Sequence, residues 1–474
     1  MNKFKLFVDN FIVYGFGGII SKIIPLIMVP IVTRLMPSSD FYGVFDLSNT
    51  LVSFASALAI MGMYDAMYRM FFEKDDEEYK KCICSTALMF SLLASAVIFA
   101  VMILLREQIA QLFLNDKKYS FIIYLSAIAT FVGATNSIVS APTRMQNKRR
   151  LFLITNTLSP FISYSISIPM LVAGHYLLAL PLATVISGVT MELTFAVINH
   201  SWFVPKKFDF IILKHLLVIA IPLLPNFLIY WVFNSCDKLM ITNMIGISAA
   251  GIYSVGSKLG QCSQLIYTAF AGGWQYFAFS TMKEENQVKN NSLVFEYLGI
   301  ITFVATAFVC ALSYPLFQVL FTDQYLSGYI VAPYLFLAPL LQMLFQVAAN
   351  QFLVVKMTWP NLFILSVGAV VNIVINLLLI PVIGIEGASI ATLMGYVISD
   401  VICVIVLCKM RLMAIENRFF IAAFGMVLFF IAWRFLFPNN VVWGLGIAIV
   451  FSAHCVLLYK NDIRKFVKMV KIRN

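Results

Sequence analysis

Fourteen apolar runs follow one another through this chain with only short polar breaks between them. They lie near 11–33, 41–65, 82–105, 119–141, 151–174, 176–199, 211–235, 248–279, 293–313, 328–355, 361–382, 387–408, 417–437 and 441–459. Each approaches or exceeds the ~20 residues a helix needs to cross a bilayer core of about 30 Å. In lipid every backbone N–H and C=O must be satisfied within the protein, and runs of this length do so as helices. Little sequence is left over for a water-soluble domain. Only 12% of the 474 residues are charged and 61% are hydrophobic, against roughly 25% and 45–50% in soluble domains. A soluble enzyme and a disordered scaffold are both excluded. The expectation is an all-α integral membrane protein of about 14 transmembrane helices.

The net charge of +11 is topological and does not mark a nucleic-acid partner. Of the 33 Lys and Arg residues, Lys22 and Lys258 fall deep within runs, and Arg34, Arg106, Lys117, Lys118, Lys238 and Arg434 fall on one side of the membrane. The other 25 fall on the opposite side, which the positive-inside rule makes cytoplasmic. Both termini are therefore expected inside, the segment 106–118 outside, and the number of spans even. The first run follows Lys3 and Lys5 with no small-residue cleavage site and reads as a retained signal anchor. Eight cysteines and four histidines form no ligand set, and Cys82-x-Cys84 is too tight for half of a zinc site. No G-x(4)-G-K-[ST], H-E-x-x-H or G-x-S-x-G occurs, and no outer loop is long enough to build a catalytic site. No cofactor and no enzymatic activity are expected, and transport would draw on an ion gradient, the membrane potential or the substrate gradient.

A shift of 208 residues places Gly43 on Gly251, Val44 on Ile252, Phe45 on Tyr253, Thr184 on Thr392 and Glu192 on Asp400. One offset linking spans 2 to 8 and 6 to 12 points to duplicated halves. The expected organisation is two pseudo-symmetric six-helix lobes, 1–210 (spans 1–6) and 211–409 (spans 7–12). Residues 410–474 add spans 13–14 and a basic cytoplasmic tail. Internal symmetry of this kind recurs in transporters, whose substrate sites lie between the repeats.

The repeat carries polar chemistry. Asp46, Asn49, Thr50, Ser53 and Ser56 share one face of span 2, and Ser254, Ser257, Lys258, Gln261 and Gln264 share the same face of span 8. Such a stripe lines a cavity or bonds neighbouring helices, and Asp46, Lys258 and two glutamines are more polar than helix–helix bonding needs. Lys22 lies about eleven residues into its run, roughly 16 Å from the start at 1.5 Å per residue, with Pro25 and Pro30 beyond it. It either binds substrate or forms an ion pair with Asp46. Two intramembrane cations in opposite halves suit an anionic ligand, with Arg34 at the end of span 1 as a further candidate. Gln342, Gln346 and Asn350 of span 10 are sugar-hydroxyl contacts or helix glue. Glu192 and Asp400 are candidate ion-coupling carboxylates or interfacial groups.

Three stretches resemble the multidrug/oligosaccharidyl-lipid/polysaccharide exporter superfamily, and its polysaccharide-flippase branch in particular. They are SKIIPLIMVPIVTRLMPSSDFYGVFDLSNT at 21–50, SCDKLMITNMIGISAAGIYSVGSKLGQ at 235–261 and NIVINLLLIPVIGIEGASIATLMGYV at 372–397. The likeness covers most of 11–410, and fourteen spans match this branch better than the twelve of drug exporters. Asp237-Lys238 departs from the Asp-Arg common among relatives, keeping the charge. The resemblance implies a bacterial cytoplasmic-membrane flippase working by alternating access. Its cargo would be an undecaprenyl-pyrophosphate-linked repeat unit for O-antigen or capsule-type polysaccharide, and its partners membrane lipids, a polysaccharide polymerase and other glycan-assembly proteins. A cation-coupled multidrug exporter and a peptidoglycan-precursor (lipid II) flippase are the alternatives.

Overall fold

The computed structural model describes residues 23–464, apart from Lys283, Thr358, Pro438 and Ile463. Every regular element among them is helical: α1 (Ile23–Leu35), α2 (Ser39–Ile60), α3 (Met63–Phe71), α4 (Glu77–Leu104), α5 (Arg106–Leu114), α6 (Ser120–Met145), α7 (Arg149–Val172), α8 (Ala179–Asn199), α9 (Phe210–Ala220), α10 (Leu224–Met244), α11 (Ile247–Gly260), α12 (Ser263–Ser280), α13 (Gln287–Leu320), α14 (Val331–Val354), α15 (Trp359–Ile383), α16 (Ile385–Lys409), α17 (Asn417–Ile431) and α18 (Val441–Leu458). Among the described residues, twelve segments are long and apolar enough to cross a membrane. Where they are described, the fourteen runs fall on helix. The first is described from Ile23, and the eighth breaks into α11 and α12 at Gln261–Cys262.

Helix ends follow local chemistry. Ser38, Asp76 and Asp209 cap α2, α4 and α9, each accepting from backbone N–H groups of the first turn. α2 stops where Met61 and Gly62 turn left-handed (φ 49° and 75°). Asp116 closes the α5–α6 connection. The Lys118 N–H at 2.9 Å and the Lys118 ammonium, also at 2.9 Å, hold its carboxyl below the usual carboxylate range.

One sequence expectation is corrected here. The run placed at 211–235 continues from α9 through a 3-10 turn at Ile221–Leu223 into α10, a segment of 35 residues. Lys238, assigned above to an outer segment, lies inside α10 and is buried.

The chain divides into two compact units, 1–254 and 255–474. In the first, α6 is central and packs on α2, α4 and α8, while α7 lies on α8. In the second, α14 is central, 78% of its span is buried, and it packs on α12, α13 and α16, with α15 on α16. Apolar side chains all round α14 suit that position. Adding 208 to the starts of α2, α4, α6, α7 and α8 gives the starts of α11, α13, α14, α15 and α16 to within three residues. The repeat is thus carried by the helices as well as by the sequence.

Two arginines fasten α17 within the second unit. Near its start the Arg418 guanidinium meets Glu296 of α13 at 3.4 Å and Asp462 at 2.5 Å, and lies over the Tyr459 ring. Beyond its far end, in a π-helical turn, Arg434 forks onto Glu386 of α16 at 2.7 and 3.0 Å, and the Tyr334 hydroxyl donates to the same carboxylate at 3.1 Å. Sixteen residues separate the two arginines, about 24 Å of helix.

Candidate functional site

Asp46 and Lys238 form a buried ion pair inside the spans of the first unit. The two side chains approach to 2.5 Å and are 4% and 9% exposed. Ser254 Oγ donates to Asp46 Oδ2 at 2.8 Å, and next to Lys238 the Asp237 carboxylate accepts from the Tyr253 hydroxyl at 2.7 Å. Three helices build this centre: α2 brings Asp46, α10 brings Asp237 and Lys238, and α11 brings Tyr253 and Ser254. Asp46 and Ser254 are themselves 208 positions apart, so the duplicated helices meet at equivalent residues.

Glycine makes that meeting close. A Cβ on Gly43 would stand 2.5 Å from the Ile247 carbonyl oxygen, and one on Gly251 would stand 2.2 Å from that of Ser39. Backbone therefore touches backbone, with the Ser39 and Ser248 hydroxyls 2.6 Å apart beside the contact. Two turns beyond Asp46 along α2, Trp231 Nε1 donates to Ser53 Oγ at 3.2 Å while its ring lies on Phe54.

The polar stripe of span 2 is split by this packing. Asp46 and Thr50 are buried, Asn49 and Ser56 are half-buried and Ser53 is exposed. In span 8 Ser257 is buried, Lys258 and Gln264 are half-buried and Gln261 is exposed at the helix break. Arg34 is exposed at the end of α1. Gln342 and Gln346 of α14 are half-buried and Asn350 is buried. Lys22 lies outside the described residues.

The repeat-related carboxylates differ. Glu192 accepts a short hydrogen bond from Thr135 of α6, whereas neither oxygen of buried Asp400 has a hydrogen-bond partner among the described residues. The position 208 beyond Thr135 is Met343, which has no donor to offer. In the second unit Asn372 donates to Thr392 at 3.3 Å and Asn376 to Asn372 at 3.3 Å, all three buried. Among the described residues no three His, Cys, Asp or Glu side chains gather as a metal site.

Sequence reasoning missed Lys238, Asp237 and Trp231 as parts of this centre. The signal was available: Asp237-Lys238 sits between Trp231-Val-Phe and Leu239-Met-Ile, an apolar setting that a loop does not require.

Helix number, internal repeat and intramembrane charge together define a multi-pass membrane protein with a transporter fold. The structure is similar to "Lipid II flippase MurJ, inward closed conformation", with a TM-score of 0.72, 15% identity, and 97% of this chain and 99% of that one covered. It is also similar to an inward-facing multidrug resistance MATE family transporter (TM-score 0.63, 12% identity, 83% and 98% covered). An outward-facing one gives a TM-score of 0.59 at 15% identity, with 86% and 95% covered. The chain belongs to the family described as polysaccharide biosynthesis protein, whose model matches residues 31–329. No curated protein sequence matches it.

Proposed function

We propose that the protein is a flippase that moves a lipid-pyrophosphate-linked oligosaccharide from the inner to the outer leaflet of the bacterial cytoplasmic membrane, for surface polysaccharide assembly. The observation that carries this reading is family membership over 31–329. The fold likeness to a lipid II flippase supports it, because it extends through α17 and α18.

In this reading the lobes are 1–210 and 211–409, both termini are cytoplasmic, and alternating access exposes a cavity to each leaflet in turn. Lys22 and Lys258 hold the pyrophosphate, with Arg34 as a further candidate. Sugar hydroxyls meet Asn49, Ser53, Ser257, Gln261, Gln264, Gln342, Gln346 and Asn350. A pyrophosphate carries the negative charge that cations placed within a membrane favour. Asp46 weighs against cation export, since it already holds Lys238 as a counter-ion. Its own role is then to fix α10 against α2. Glu192 and Asp400 are the carboxylates through which an ion gradient would act.

The test is a K22A/K258A double variant expressed at the wild-type level. Surface glycan should fall while lipid-linked precursor accumulates on the inner face; accumulation of the peptidoglycan precursor instead would assign lipid II as the cargo. Normal surface glycan would sink the anion site and restore the drug-export reading. Reconstituted E192Q/D400N protein should lose gradient-driven flipping and keep downhill exchange, and unchanged gradient dependence would remove both carboxylates from coupling.

A further inference from the structure

α6 and α7 of the first unit each pack on α8 but scarcely on one another. Between them lies a cleft of about 220 Å³, walled by Asn136, Ser140 and Arg144 of α6 and by Thr155, Asn156 and Ser159 of α7. Met191 and Phe195 of α8 complete its lining with apolar surface. The side-chain oxygen of Asn136 is buried with no hydrogen-bond partner among the described residues. Arg144 donates to the Tyr64 hydroxyl at 3.1 Å and lies 5.2 Å from the centre of the Phe152 ring. Neither contact neutralises its charge, and a guanidinium carries five N–H donors. Lys148 and Arg150, both exposed, flank the α6–α7 connection.

The second repeat shows what this packing requires. Adding 208 to the six wall positions gives Leu344, Ala348, Phe352, Phe363, Ile364 and Val367, all apolar. Leu344, Ala348, Phe352 and Ile364 are buried, each at most 3% exposed. The same helices in the same order therefore carry hydrocarbon at all six positions and pack with it at these four, while Phe363 is exposed and Val367 half-buried. Polar groups in the first repeat are not demanded by the scaffold. A buried amide oxygen without a partner would be costly on its own account, which makes a polar occupant the economical reason for keeping it.

We propose that this cleft binds one anionic, hydroxyl-rich head group of the size of a single sugar phosphate. The planar guanidinium fork takes two phosphate oxygens in parallel, as it does in bidentate Arg–phosphate pairs, while two amides and three hydroxyls face the polyol. The volume equals about seven waters at ~30 Å³ each and lies below the ~300–1,000 Å³ of drug-sized pockets, so one ring fits and an oligosaccharide does not. The same chemistry is presented by a glycosyl phosphate and by the glycerophosphate head of a bilayer lipid. The inference does not depend on the cargo proposed above.

The test uses the full-length protein in phosphatidylcholine nanodiscs, titrated with glucose 1-phosphate, with glucose and inorganic phosphate as separate probes. A parallel preparation in phosphatidylglycerol is weighed by native mass spectrometry for retained lipid. The N156I/S159V variant installs residues the second repeat already uses, and R144Q removes the charge while keeping polarity. Glucose 1-phosphate should bind saturably, with both variants weakening it by about tenfold or more and each fragment probe binding more weakly. Loss of that binding in phosphatidylglycerol, with lipid retention reduced by the same variants, assigns the lipid head group; binding unchanged by that lipid assigns the glycosyl phosphate. If neither glucose 1-phosphate binding nor lipid retention differs between wild type and variants of unchanged thermal midpoint, the cleft holds only water and the proposal is overturned.

Discussion

Lys238→Met tests the physical account of the Asp46 centre most directly. The ammonium is 2.5 Å from a carboxylate only 4% exposed, so its removal takes the counter-charge from a buried carboxylate to which Ser254 still donates at 2.8 Å. Breaking a buried pair in this way costs about 3–5 kcal/mol. Asp46→Asn strands the ammonium instead and should cost a similar amount. Replacing both, as D46L/K238M, removes the desolvated charges together and should return most of the loss. Against that stands about 1–3 kcal/mol for the Ser254 hydroxyl left without its acceptor. The coupling between the two sites should thus be at least about 3 kcal/mol, far above the ~0.3–0.5 kcal/mol scatter of independent positions. Detergent-solubilised protein unfolded with increasing dodecyl sulfate gives the measurement. It can be followed through its six tryptophans, one of which, Trp231 of α10, bonds to Ser53 of α2. Single variants that each lose less than about 0.5 kcal/mol, and whose effects simply add, would mean the pair is solvated like a surface bridge. The buried-pair argument would then be wrong.

Gly251→Ala places a methyl 2.2 Å from the Ser39 carbonyl oxygen, which no rotamer can relieve, and should lower stability by about 1–3 kcal/mol. Gly446→Ala, with open space around its Cβ, should be neutral or gain up to ~1 kcal/mol from helix propensity; equal thermal midpoints for the two variants would contradict the close crossing. Arg434→Gln leaves Glu386, whose side chain is 10% exposed, with Tyr334 as its remaining neutral donor. Faster hydrogen exchange through α17 is the expected result, restored in part by E386Q/R434Q, and exchange unchanged in the single variant would show that the clasp holds nothing.

Most of the helical order was legible because bilayer thickness sets a length and the positions of charge set the breaks. The 208-residue offset, first seen in a few residues of spans 2 and 6, reappears in five helix starts, since duplicated helices keep their spacing even as side chains diverge. What hydropathy could not see was pairing. Asp237-Lys238 ended an apolar run on paper, yet inside α10 Lys238 stays in the span because Asp46 from another helix meets its charge. Asp46, Thr50 and Ser53 share a helical face by periodicity, but Thr50 is buried and Ser53 is exposed. Only a neighbouring helix can draw that line through one stripe. The α6–α7 cleft was invisible for the same reason: Asn136, Arg144 and Asn156 lie on two helices, and nothing in either helix alone brings them together.

The double fastening of α17 has a consequence for the membrane itself. A free span longer or shorter than the local hydrocarbon layer adjusts by tilting. α17 is tied at Arg418 to Glu296 and at Arg434 to Glu386, with about 24 Å between the two arginines, and tilting would break one tie or the other. The lipid must adjust to this helix, thinning beside it in a thick bilayer at a fraction of a kcal/mol per Å. α17 therefore acts as a gauge: it fixes a local membrane thickness, and lipids of matching chain length gather along its exposed face.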